Sequence, residues 1–203
     1  MSKARLETFS DGVIAILITI MVLELHIPHG TDWRALGPLI PSLLTYALSF
    51  IFLAIYWNNH HHMFHLVNRV NGRILWANMH LLFWLSLVPF VTGWMGENNF
   101  ATIPTAVYGC VLLLAGTAYS ILVFTIIADQ GPHSPLAAAV GSDVKGKLST
   151  ALYAVAIPLA FVNRWIAGAI YLAVALMWLA PDRRIESRFA SAGLSHEQRS
   201  GTE

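Results

Sequence analysis

Long apolar runs, each close to the length that crosses a bilayer and nearly free of charge, constrain this chain more than any other feature. A helix needs about 20 apolar residues to span the hydrocarbon, because away from water every backbone N–H and C=O must find its partner within the segment. Runs at 36–57, 74–94 and 106–127 meet that length. The stretch 148–180 is too long for one crossing and is interrupted by Asn163 and Arg164, so it reads as two helices joined by a tight turn, the first carrying Pro158 as an expected kink. The run 9–25 is shorter and has Asp11 near one end and Glu24 near the other. From Val13 to Leu23 only Thr19 is polar, and its hydroxyl can bond back to its own helix. The expected fold is therefore all-α: an integral membrane bundle of six helices. With hydrophobic residues at 56% and charged ones at 11% of 203 positions, a water-soluble domain would lack the polar surface to cover its core.

The basic residues set the orientation. Lys3, Arg5, Arg69, Arg73, Lys145, Lys147, Arg183, Arg184, Arg188 and Arg199 fall on one side of a six-span arrangement, and only Arg34 and Arg164 on the other. Positive charge accumulates on the cytoplasmic face, which places both termini inside. Five or seven spans would scatter the same residues over both faces. The lysine and arginine of the first turn are followed by Glu7 and Asp11, and no small-residue cleavage site closes the apolar run, so the first helix is not read as a cleavable signal. Residues 1–182 are expected to form the membrane domain and 183–203 a polar tail. Nucleic acid is not an expected partner, since the formal net charge is +1 and no basic run lies outside the membrane flanks. Cys110, the single cysteine, lies in an apolar run as a small packing residue and excludes an internal disulfide.

Polar groups within a span are costly and mark either function or a packed polar contact. At 100° per residue, Gly12, Ile16, Ile20, Leu23 and Ile27 share one narrow stripe of the first helix, with Thr19 on its edge. Asp11 points nearly opposite and Ser10 well to one side. The helix thus has a smooth aliphatic face and a polar foot aimed at its neighbours. Such a face can meet lipid or a partner helix. It can also form, with symmetry-related copies around an axis, a constriction that gates by dewetting.

The residues Arg5, Phe9, Ser10 and Asp11, read as R-x-x-x-F-S-D, resemble the signature of the transmembrane protein 175 family, which includes lysosomal potassium channels and prokaryotic relatives. Trp57, His60, His61 and Phe64 resemble its W-x-x-H-H-x-x-F pattern, and Trp76, Asn78, Pro89 and Phe90 its third-helix pattern. The resemblance implies a potassium-permeable channel in the cell membrane with no cofactor, its pore lined by the first helix. It implies that Ile16, Ile20 and Leu23 form a hydrophobic constriction, that Thr19 occupies a position linked to cation passage, and that one signature per chain makes a homotetramer. A proton-conducting channel is a close variant. The foot is expected to be locked by hydrogen bonds from Ser10 and Asp11 to groups such as Trp57 Nε1, His61 or Asn78, with Arg5 in the same network. Loss of Asp11 should then disturb folding or assembly more than selectivity.

Other constellations are weaker. His60, His61, His62 and His65 suggest the histidine box of a membrane oxygenase, but such enzymes need several boxes, and His26, His29, His80 and His133 do not supply another at suitable spacing. No metal centre is expected, although His61 and His65, at i and i+4, could share an ion. Glu24 and His26 sit where a pore mouth would draw cations, or simply form a solvated helix end. Gly109 and Gly116, and Ala169 and Ala173, offer small faces for close helix approach. An ion transporter is disfavoured by the lack of repeats and of a broken-helix pair, and no Walker loop, dinucleotide fingerprint or nucleophile elbow is present.

Overall fold

The computed structural model describes residues 2–179, and within them every regular element is helical. The expected tail at 183–203 lies outside the described residues. The helices are α1 (Lys3–Leu23), α2 (Ile40–His65), α3 (Gly72–Ser86), α4 (Val88–Glu97), α5 (Thr102–Gln130), the short α6 (Pro135–Val140), α7 (Val144–Val162) and α8 (Arg164–Leu179), with a 3₁₀ segment at Trp33–Leu39 leading into α2. Among the described residues, five stretches are long and apolar enough to cross a membrane: Lys3–Leu23, Trp33–His65, Gly72–Glu97, Thr102–Gln130 and Val144–Val162. The sixth expected span, α8, is apolar and has 16 residues up to the edge of the described chain.

Boundaries differ from the hydropathy reading where polar residues carry the helix beyond its apolar run. α1 begins at Lys3 because the Ser2 hydroxyl caps it, accepting from the Arg5 N–H at 3.4 Å. α2 continues two turns past Trp57, so all four histidines of the cluster ride on one helix. The 74–94 run is broken at Leu87, between α3 and α4. Pro89 accounts for the break: it has no N–H to give and its ring crowds the carbonyl four residues back, while at the start of α4 neither defect matters. α7 runs through Pro158 as one helix. Asn163 then breaks the chain, its side-chain oxygen accepting from the Trp165 N–H at 2.9 Å to start α8.

Contacts at the helix ends arrange the bundle. Arg69 and Asn71, between α2 and α3, meet Asp129 near the end of α5 at 3.4 Å and 2.7 Å. Lys145 at the start of α7 lies 5.9 Å from the Trp178 ring near the end of α8. At the opposite end His26 approaches Glu97 at 3.6 Å, and the rings of Phe100 and Trp165 lie 5.4 Å apart, joining the α4–α5 and α7–α8 turns. α5 is the central helix, packed most extensively on α7 and α3. Its close approach to α8 comes from Gly109, which faces Tyr171; the Tyr171 hydroxyl donates to the Thr105 carbonyl at 3.1 Å. Ala169 and Ala173, by contrast, lie on the uncovered side of α8, and Ala167 and Ala175 are the small residues buried there.

A Cβ at Gly109 would run into the Tyr171 hydroxyl and lie 3.1 Å from Ile157 Cγ1. Gly109→Ala is therefore expected to destabilise the chain by about 1–3 kcal/mol through overpacking, seen as a lower melting temperature in detergent. Tyr171→Phe in the same background should recover part of the loss by removing the clashing oxygen; no recovery would place the strain elsewhere.

Candidate functional site: the first helix and its anchor

α1 presents two faces with different fates. Leu6, Ser10, Ile14, Leu17 and Met21, spaced i, i+4, i+4, i+3, i+4, are all buried against the bundle. The stripe on the other side is uncovered in the single chain: Ile16 is 58%, Ile20 38% and Leu23 80% exposed. Thr19 is exposed beside them with its hydroxyl donated to the Ile16 carbonyl at 2.8 Å, so it satisfies itself within the helix.

The foot is held by a polar network built from three helices. Ser10 is fully buried; its hydroxyl donates to the Leu6 carbonyl at 2.9 Å and accepts from Asn78 Nδ2 of α3 at 2.9 Å. Asn78 Oδ1 in turn meets His60 Nε2 of α2 at 2.8 Å, which makes that ring nitrogen the donor. Ser10, Asn78 and His60 are each at most 1% exposed. At the rim, Trp57 Nε1 donates to Asp11 Oδ1 at 3.0 Å, and Asp11 is half-buried. Buried polar groups of this kind hold one arrangement because each loses a great deal if its partner moves.

Two expected members of the network stand apart from it. His60 takes the place expected of His61: the two neighbours point about 100° apart on α2, and the packing of α2 on α3 turns His60 inward. His61 instead stacks on Trp57, four residues earlier, with ring centres 5.8 Å apart and planes 19° from parallel. Arg5 projects on the same side of α1 as Ile16 and Leu23; its bond at this end is the backbone N–H to Ser2. Phe9 also faces outward and is half exposed, so consecutive residues of the Phe-Ser-Asp sequence point outward, inward and sideways.

The C-terminal half of α1 has its own buried contacts, which hydropathy alone did not reveal. Thr92 Oγ1 of α4 donates either to its own helix at the Val88 carbonyl or to Ser49 Oγ of α2, both at 2.6 Å, and lies 3.9 Å from Met21 Sδ. Ser49 is also bonded to the Tyr108 hydroxyl of α5 at 2.9 Å. Thr92 is thereby a packing residue, although Thr92-Gly93-Trp94 superficially resembles a filter sequence. Beyond it, Glu24 and Glu97 flank an open cleft of about 480 Å³ between α1 and α4, floored by Leu17, Ile20 and Phe90.

Comparison with known proteins places this geometry. Residues 5–89, which contain the whole anchor, match the family model described as endosomal/lysosomal potassium channel TMEM175. A protein of Chryseobacterium sp. (strain P1-3) named a potassium channel is 52% identical over 186 residues, 92% of this chain and 97% of its own length. Another so named, from Streptomyces collinus, is 30% identical over 201 residues, 94% of this chain and 98% of that one. The crystal structure of a lysosomal potassium-selective channel TMEM175 homolog from Chamaesiphon minutus superposes with a TM-score of 0.76 at 28% identity, covering 87% of this chain and 96% of that one. On full-length identity, matching fold and the shared α1–α3 segment, this chain belongs to the TMEM175 family.

Proposed function

We propose that the chain is a potassium-permeable cation channel of the cell membrane, assembled as a homotetramer with α1 of each copy lining a central pore. The observation that carries this reading is the division of α1: one face and the foot are bound into the subunit, while Ile16, Ile20 and Leu23 remain an uncovered aliphatic stripe. Four such stripes around an axis make a narrow apolar passage that water enters only when the helices draw apart. Thr19 would offer a hydroxyl at the level of the constriction, and Glu24, at the mouth, would concentrate cations there. Both termini would be cytoplasmic, with residues 1–182 forming the channel and no cofactor needed for passive flow. The names of the relatives support potassium as the permeant ion. Membership in a family of channels sets aside the membrane-enzyme reading of the histidines.

Purified protein in liposomes is expected to dissipate a potassium gradient electrogenically, with no cosubstrate, and chemical cross-linking in detergent should proceed to a tetramer. Flux that requires a coupled ion would indicate a transporter instead. Cross-linking that stops at the dimer would refute the fourfold arrangement, and a proton current exceeding that of potassium under matched gradients would reassign the permeant ion.

A further inference from the structure

The histidines at the end of α2 are left over from the anchor, apart from His60. His61 and His65 sit one turn apart, with His65 exposed and His61 half-buried, and their Nε2 atoms are 3.1 Å from each other. The rings stand nearly perpendicular, at 84°, with centres 4.5 Å apart. One Nε2 donates to the other, so one ring presents its lone pair and the second can do so by moving its proton to Nδ1. Two imidazole nitrogens bound to one ion at about 2.0–2.1 Å, with angles of about 90–110° between them, lie about 2.9–3.4 Å apart. The observed separation falls in that range, and a small rotation of each ring would turn both lone pairs toward a common point.

We propose that His61 and His65 form a two-nitrogen chelate for a divalent late transition ion (copper, nickel or zinc) on the surface of α2. Imidazole pairs suit these metals and not the hard cations magnesium and calcium. Among the described residues no group of three or more His, Cys, Asp or Glu is placed to hold a metal, and the proposed site counts two protein nitrogens, its remaining positions open to water. The site touches the anchor directly. His61 stacks on Trp57, and Trp57 donates to Asp11, so an ion bridging His61 to His65 fixes the ring on which the anchoring indole rests.

The test uses untagged full-length protein in detergent or nanodiscs, titrated with Cu²⁺ and followed by electron paramagnetic resonance. Expected are about one ion per chain and hyperfine splitting from two nitrogens, with affinity falling by about tenfold or more in either His61→Ala or His65→Ala. His80→Ala, whose ring accepts from Trp84 Nε1 within α3, should bind as the natural protein does. Ni²⁺ should raise the melting temperature of the natural protein and leave that of His65→Ala unmoved. Should His61→Ala fail to fold for want of its stacking partner, His65→Ala carries the test alone. Saturable copper binding that survives the loss of His65, or no saturable binding by the natural protein, overturns the proposal.

Discussion

With asparagine in place of Ile16, proteoliposomes are expected to release potassium at least about tenfold faster than with the natural protein, since each 1.4 kcal/mol removed from a barrier is tenfold in rate. An aliphatic constriction excludes water because the walls return none of the hydrogen bonds that water gives up on entering. In the proposed tetramer a carboxamide at Ile16 would supply donors and acceptors to the passage once per copy, and the barrier should fall by about 1.5–3 kcal/mol. Leu23→Asn should act in the same direction. Leu44→Asn is the control: Leu44 is likewise exposed on its own subunit, at 57%, but belongs to α2. An unchanged flux in Ile16→Asn would remove this residue from the gate. An equal rise in Leu44→Asn would reduce the effect to nonspecific leak.

Asn78→Ala is expected to be the most damaging single change in the anchor. Asn78 is fully buried and satisfies two other buried groups, Ser10 on α1 and His60 on α2. Removing its amide leaves the His60 N–H without an acceptor and Ser10 without its interhelical donor, and opens a small void. Unsatisfied buried groups cost about 1–3 kcal/mol each, so a loss of about 2–5 kcal/mol is expected. Asp11→Ala should cost less, about 1 kcal/mol, because Asp11 is half-buried and its bond from Trp57 lies at the solvated rim. Thermal unfolding in detergent, with size-exclusion chromatography for assembly, would rank the two. If Asp11→Ala proved the less stable protein, the weight of the anchor would lie at its rim. Asp11→Ala with stable assembly and unchanged conductance would show that the carboxylate has no part in holding α1.

The sequence names Ser10 and Asp11 together as the locking groups of the foot, whereas the structure buries Ser10 at the centre of the network and leaves Asp11 at its rim. A carboxylate near the head of an apolar span is conspicuous in a sequence. A serine, an asparagine and a histidine on three separate helices are not, because nothing in their spacing says that they meet. Ser10 and Asn78 are nevertheless expected to take part, because the motifs that carry the family resemblance contain both. His60 and His61 could not be told apart by type. One step along a helix turns a side chain by about 100°, so the choice between them depends on how α2 is rotated against α3. The motif groups Arg5 with the foot, but its helical phase puts it on the aliphatic side.

Composition and periodicity by themselves determined the solvent, the all-helical class and the two-faced first helix, because all three follow from local chemistry: backbone groups in lipid must bond within a helix, and a repeat of 3.6 residues sorts side chains into faces. Only the tertiary structure decided that the third span is broken at Leu87, that Thr92 and Ser49 bond beneath Met21, and that His60 completes the anchor while His61 lies on Trp57. These features depend on the relative rotation and depth of packed helices. That rotation is fixed by the sum of many weak contacts between residues far apart in the chain, which no local pattern records.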